Sequence, residues 1–461
     1  KYLLKSDLSI ANNYKSEITS TDLNNYLSVL ASDEFEGRET SYPGQKKAAE
    51  YLKNKLIEWG IKPPLENSSY FQEFEVEIKD FSKVNLIINN DTLDFISDFY
   101  SFGNPYNTLQ ENLLTVDAGF GIINEKFNSY ENLNIKNKVV IIKEGLPNET
   151  SFKIKEGSWR KKVETATSMG ALAVIFKKEN YINSDLALKD HLAHPRMKMH
   201  NKVETKQQIP VFFVDEIILD SYSNKKVSFY TNVNEIKTAE NVLGFIPGLS
   251  DEIIVISAHY DHIGYDRGEI CNGADDDASG TSSLLSIAKT FQKAYIDGHK
   301  PHRGILFLMV SGEEKGLFGS KYYTDNPYFP LNNTVANLNI DMIGRKDTIQ
   351  PNTNYIYLIG SDKISNQLHL INEQINYNFI GFNLDYRYNS DDDPNKFYYR
   401  SDHYNFAKNN IPVIFYFGGL HEDYHKPTDE VDKIDFSKLV LTTKYIFLTA
   451  WELAYRYKTI K

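Results

Sequence analysis

Glu313 and Glu314 stand side by side two residues after the apolar run GILFLMV. Two carboxylates at the end of a buried strand are costly unless positive charge meets them. One can ligate a metal ion while its neighbour, left free, holds a water as general base. NGADDDASG poses the same question, because Asp275, Asp276 and Asp277 are flanked by residues small enough to admit a close approach. A bound cation answers it, and a solvated turn is the plain alternative. His259 and Asp261 in SAHYDHIG, Asp341 in the apolar NLNIDMIG and His425 in DYHKPTD extend the set. Residues two apart on a strand share a face, so Asp261 is placed to accept from the His259 ring and fix its tautomer. Each stretch is weak alone, and a bare His-x-Asp is more often a satisfied core or surface pair. Together, two imidazoles and at least three carboxylates without a thiolate suit a pair of catalytic zinc ions about 3.5–4 Å apart.

Such a set needs elements that bring it to one edge. From residue 240 onward strands and helices alternate: EIIVISAHYDHIG, GILFLMVSGEE, TVANLNIDMIG and IPVIFYFGG read as strands. ASGTSSLLSIAKTFQKAYIDG, GLFGSKYY and 436–457 read as helices. That alternation predicts an α/β fold, a mixed and mostly parallel sheet flanked by helices, with ligands bound at the carboxyl ends of its strands. Upstream, PGQKKAAEYLKNKLIEWG (43–60) has apolar residues at helical spacing between a Pro start and a Gly stop. Between 83 and 235 the texture changes to short strand-like runs (LIIN, KVVIIKEG, ALAVIFK, IPVFFV) and one helix at 159–170. Three segments are expected: 1–82, 83–235 and 236–461.

Composition bounds the rest. A chain of 461 residues exceeds one ordinary core. A formal charge of −11 argues against a nucleic-acid surface, and no apolar run approaches a membrane span. The lone Cys271 excludes an intramolecular disulfide and is expected to be a small filler. The start KYLLKSDLSI lacks an initiator Met and a signal pattern, so a processed or engineered end with its targeting segment removed is expected.

SAHYDHIG, NGADDDASG, VSGEEKGLFGS, NLNIDMIG and DYHKPTD resemble, in order, the motifs of the di-zinc exopeptidases. That family includes secreted bacterial leucyl aminopeptidases, glutamate carboxypeptidase of the prostate membrane antigen type, the glutaminyl cyclases and the transferrin receptor ectodomain. The resemblance covers roughly 240–461. It implies the zinc exopeptidase fold, with 83–235 as an inserted, mainly-β protease-associated (PA) domain. SDEFEGRETSYPGQKKAAEYL is similar to the leader of PA-containing members, so 1–82 would belong to the catalytic domain. Two zinc ions per chain are implied: His259 and Asp341 on one, Glu314 and His425 on the other, and Asp276 between them. Asp275 and Asp277 would serve turn or capping roles, and Asp261 would orient His259. Glu313 would be the general base, and Tyr424 matches a tyrosine that in some members helps hold the substrate carbonyl oxygen. The implied activity is removal of N-terminal residues from peptides by an exported, periplasmic or extracellular enzyme.

The rivals are a one-zinc glutaminyl cyclase, a carboxypeptidase for acidic C-terminal residues, which needs a basic patch in its pocket, and a non-catalytic receptor module. His191, His194 and His200 in HLAHPRMKMH read as a polar surface loop without a nearby carboxylate, and SDDDPN (390–395) as a solvated turn. Asp402 and His403 in RSDHYNF are candidates for lining the substrate pocket.

Overall fold

The computed structural model describes residues 3–65, 69–101, 108–125, 127–147, 154–200, 209–231, 234–458 and 460. It divides into two units, Lys1–Phe74 with Thr238–Lys461, and Glu75–Lys237.

Seven strands frame the first unit: β1 (Asn234–Ile246), β2 (Ile253–His259), β3 (Gly304–Val310), β4 (Thr334–Asp341), β5 (Tyr355–Ile359), β6 (Asn383–Asp385) and β7 (Val413–Phe417). They lie in the order β6–β5–β7–β4–β2–β3–β1. β2 pairs parallel with both β3 and β4, β4 with β7, and β5 with β6, while β1–β3 and β5–β7 are antiparallel. Every residue of β2 and β3 is buried, as a parallel strand covered on both faces requires. On one face Ile254, Ile256 and Ala258 pack with Leu284, Ile287 and Phe291 of the helix Gly280–Ile296 and with Phe447 and Trp451 of Phe436–Tyr455. On the other, Ile253 and Val255 pack with Tyr323 and Phe406. The four central strands therefore release His259, Val310, Asp341 and Phe417 at one edge, and each runs on into a loop there.

The second unit carries an eight-stranded mixed sheet. Its parallel core is Thr108–Asp117, Val139–Lys143, Ala173–Lys178 and Val211–Asp215. The helix expected at 159–170 is Trp159–Ser168. HLAHPRMKMH is not a loop. It closes the helix Leu186–Ala193 and forms the strand Arg196–Met199. Pro195 cannot continue the helix, and the alternation after it pairs with Val76–Lys79, bringing His200 Nδ1 to 4.0 Å from a Glu77 oxygen. In SDDDPN, Asp393 accepts from the backbone N–H of Asn395 and Phe397, and Asp391 pairs with Lys363, so the segment is a turn held by its own carboxylates. Among the described residues no helix is long and apolar enough to cross a membrane.

Candidate metal centre

Asp276 faces two histidines at once. Its Oδ1 lies 3.3 Å from His259 Nε2 and its Oδ2 lies 3.2 Å from His425 Nε2. His259 Nε2 is also 3.6 Å from Asp341 Oδ1, and His425 Nε2 is 3.0 Å from Glu314 Oε2. The Nε2 atoms of His259 and His425 are buried without a hydrogen-bond partner. Donors around one tetrahedral zinc stand about 3.3 Å apart, from zinc–ligand bonds near 2.0–2.1 Å. The spacings, the orphaned nitrogens and the N/O donor set therefore fit two cations sharing Asp276.

The aspartate loop gets its shape from small residues and from its outer carboxylates. Gly273 has φ +54°, and a Cβ there would sit 2.2 Å from the Asp276 carbonyl oxygen and 2.5 Å from the His262 ring. A Cβ on Gly280 would meet the Asp277 carboxylate at 2.4 Å. Asp277 Oδ1 accepts from the N–H groups of Gly280 and Met342, and Asp275 Oδ1 accepts from that of Gly344. Asp277 lies within metal-binding distance of His259 and Asp341 as well. Its Oδ1 is already committed to two N–H donors, whereas each oxygen of Asp276 faces a different imidazole. Asp429 accepts from the N–H groups of Asp275 and Asp276. Beneath the loop Arg38, fully buried, donates to the carbonyls of Leu30, Tyr260, Asn272 and Gly273 at 2.5–3.0 Å.

Two neighbours of the site depart from expectation. His259 Nδ1 lies 3.1 Å from the backbone oxygen of Asp261, and the Asp261 carboxylate is 3.8 Å away. β2 ends at His259, so strand alternation does not reach Asp261. Its carboxylate instead accepts from Thr40 Oγ1 and from the N–H of Glu313. His262, three residues beyond His259, is fully buried and brings Nδ1 to 2.9 Å from Glu314 Oε1. Sequence patterning does not mark it as a site residue. Its one local sign is a second histidine in SAHYDHIG, and its partner is 52 residues away.

Asp341 is held from behind. Ser401 Oγ donates to its Oδ2 at 2.6 Å, leaving Oδ1 toward His259. A buried chain supports Ser401: Asn337 donates to Ser257, Ser257 to Asn339, and Asn339 to Ser401, at 2.7–2.9 Å. Asp402 and His403 do not line the cavity. Asp402 accepts from Ser320 Oγ, and His403 stacks on Phe415 with centroids 4.8 Å apart. Cys271 is buried filler.

Electrostatics separates the two glutamates. Burial pushes Glu313 well above the usual carboxylate range, helped by Glu314 and Asp341. Burial and Asp276 push Glu314 up as well, but His262 and His425 outweigh them and it ends lowered. Burial opposes charge on Asp276 too, yet His259 and His425 hold it well below its ordinary value. Burial lowers His425, and Asp276 and Glu314 reverse that to about 10. Glu313 and Tyr424 line the cavity beside the histidine–carboxylate groups, with Tyr424 stacked on His425 at 3.8 Å.

Solved structures share this fold. An aminopeptidase from Aneurinibacillus sp. strain AM-1 aligns over 97% of each chain with TM-score 0.54 and 20% identity. BSAP, a zinc aminopeptidase from Bacillus subtilis, aligns over 96% of this chain and 97% of its own with TM-score 0.52 and 18% identity. Among curated relatives, a probable leucine aminopeptidase of Arthroderma otae is 30% identical over 222 residues, 47% of this chain and 58% of the relative. Aminopeptidase YwaD of Bacillus subtilis is 28% identical over 145 residues, 29% of each chain. The match thus spans little more than half of the first relative's length. Residues 241–450 match the family model of peptidase family M28.

Proposed function

We propose that this chain is a zinc-dependent aminopeptidase that hydrolyses N-terminal residues from peptides, with two zinc ions per chain. The observation that carries the reading is Asp276, whose two oxygens each face a different orphaned histidine nitrogen. His259 and Asp341 would hold one ion, Glu314 and His425 the other, and Asp276 both. The names of the relatives point to the same activity. Zinc bound there supplies a water of lowered pKa and polarises a carbonyl as a Lewis acid.

The chain's own residues supply the rest. Glu313 borders the cavity and, unlike Glu314, faces no imidazole within ion-pair distance among the described residues. Its raised pKa favours taking a proton from the attacking water and returning it to the leaving amine. Burial and then Asp276, Glu314 and Glu313 raise the Tyr424 hydroxyl, which keeps its proton and can donate to the substrate carbonyl oxygen. Asp261 acts on the base rather than on the ring, through the backbone of Glu313. Residues 83–235 are read as a PA insert between catalytic segments 1–82 and 236–461, in an exported protein whose partners are peptides. A glutaminyl cyclase with one zinc is disfavoured by the intact His259–Asp276–Asp341 group.

The test combines elemental analysis with turnover of aminoacyl-4-nitroanilides, with and without chelator, for the wild type and Glu313→Gln. The reading expects about two zinc per chain, chelator-sensitive release, and a Glu313→Gln protein that keeps its zinc but loses about 10²–10⁴-fold in rate. One zinc with cyclisation of N-terminal glutamine moves the assignment to the cyclases. Two zinc without N-terminal cleavage refutes the aminopeptidase reading.

A further inference from the structure

The cavity beside the candidate metal centre is lined by the carboxylates Asp276, Glu313 and Asp341 and by apolar residues that include Phe397, Phe417 and Met342. Arg400, an exposed residue, is the one basic side chain lining that cavity among the described residues. Its guanidinium carbon sits over the Phe397 ring, 4.9 Å from the centroid. Among the described residues this side chain has no hydrogen bond or ion pair, although three carboxylates line the space it borders. An arginine with carboxylates at hand ordinarily pairs with one, because its planar fork matches two oxygens. Here the acids face the histidines, and the guanidinium over Phe397 leaves its donors open to solvent or to a ligand. The field of a chain carrying −11 does not attract an anion, so selection of one must come from a local charge.

The geometry points to Arg400 as the receptor for a carboxylate on the substrate, which makes peptides with a free acid group next to the scissile bond the preferred class. The acid is either the terminal carboxylate of a dipeptide or the side chain of an acidic first residue. This rests on the peptidase reading and deepens it, and it supplies the basic group that sequence alone did not place in the pocket.

The experiment compares kcat/KM for two matched pairs, leucyl-leucine against leucyl-leucinamide and glutamyl- against glutaminyl-4-nitroanilide. The zinc-loaded wild type, Arg400→Gln and Arg400→Lys are assayed. A charge-assisted hydrogen bond at a water-accessible site gives an acid-over-amide ratio of about 10 in the wild type. The ratio should fall toward one in Arg400→Gln, take an intermediate value in Arg400→Lys, and shrink with added salt. A general loss of fold or metal lowers both members of a pair and leaves the ratio unchanged. The first pair reports a main-chain carboxylate and the second a side-chain one. A wild-type ratio near one in both pairs, or a ratio that survives Arg400→Gln, overturns the proposal. If nothing in the panel is turned over, the peptidase reading fails separately. Arg400 is then judged by calorimetric binding of leucyl-leucine and its amide: an acid preference lost in Arg400→Gln supports the receptor, and no preference overturns it.

Discussion

Asp276→Asn is expected to remove the zinc-induced gain in thermal stability from both halves of the site at once, while His259→Ala or His425→Ala removes one half. The reason is the division of the Asp276 carboxylate, Oδ1 toward His259 and Oδ2 toward His425. Zinc at about a hundred times its dissociation constant stabilises the folded state by about 2.7 kcal/mol per site. The unit that holds the site has about 300 residues, so its unfolding entropy is about 0.6 kcal/mol per kelvin. One site is then worth about 4 °C and two about 9 °C. Differential scanning calorimetry of chelator-treated protein, with and without zinc, reads the increment for each variant. That increment, rather than Tm itself, is the quantity to compare, because each substitution also changes the metal-free protein by relieving repulsion among buried carboxylates. Wild type should gain about 9 °C, either histidine variant about 4 °C, and Asp276→Asn under about 2 °C. An Asp276→Asn increment equal to that of His259→Ala would refute the shared-ligand argument. A normal increment would exclude Asp276 from the metal site altogether.

Ser401→Ala deprives Asp341 Oδ2 of its hydroxyl donor and should weaken zinc about 10–100-fold at the His259 half, read by chelator competition, with the His425 half unchanged. His262→Phe should do the same at the Glu314 half, since its Nδ1 is what holds Glu314 Oε1; complete loss of one zinc would instead make His262 a ligand. Lys438 is buried against Tyr355, and burial lowers it from 10.5 to about 8. Between those two values the unfolded chain binds more protons than the folded one, so this residue's contribution to stability rises with pH across that window. Lys438→Met should flatten the difference in unfolding free energy between pH 7 and pH 10, read by denaturant titration, by up to about 3 kcal/mol; an unchanged difference refutes the shift.

The chemistry-bearing residues were legible because they follow apolar runs. A continuous run such as GILFLMV is a strand covered on both faces, and a parallel sheet delivers the ends of such strands to one edge. The sequence therefore assigns His259, Glu313, Glu314 and Asp341 to a common edge. The roles of Asp275 and Asp277 were legible as well, since short acidic side chains in a glycine-flanked turn cap backbone N–H groups.

What the sequence determined by itself is periodicity, punctuation and the order of the strand ends, since each of these is encoded within about ten neighbouring residues. What tertiary structure decided is which side chain each of those groups meets. Asp261 turned from the His259 ring to Thr40 and Glu313, separated from it by 221 and 52 residues. Arg38 closes on carbonyls up to 235 residues away, and Ser401 reaches Asp341 across 60. Arg400 meets the cavity because its segment packs on β7, with Phe397 against Phe417 and His403 against Phe415. Such pairings depend on the twist of the sheet and the packing of helices upon it, and no local pattern of residue types records them.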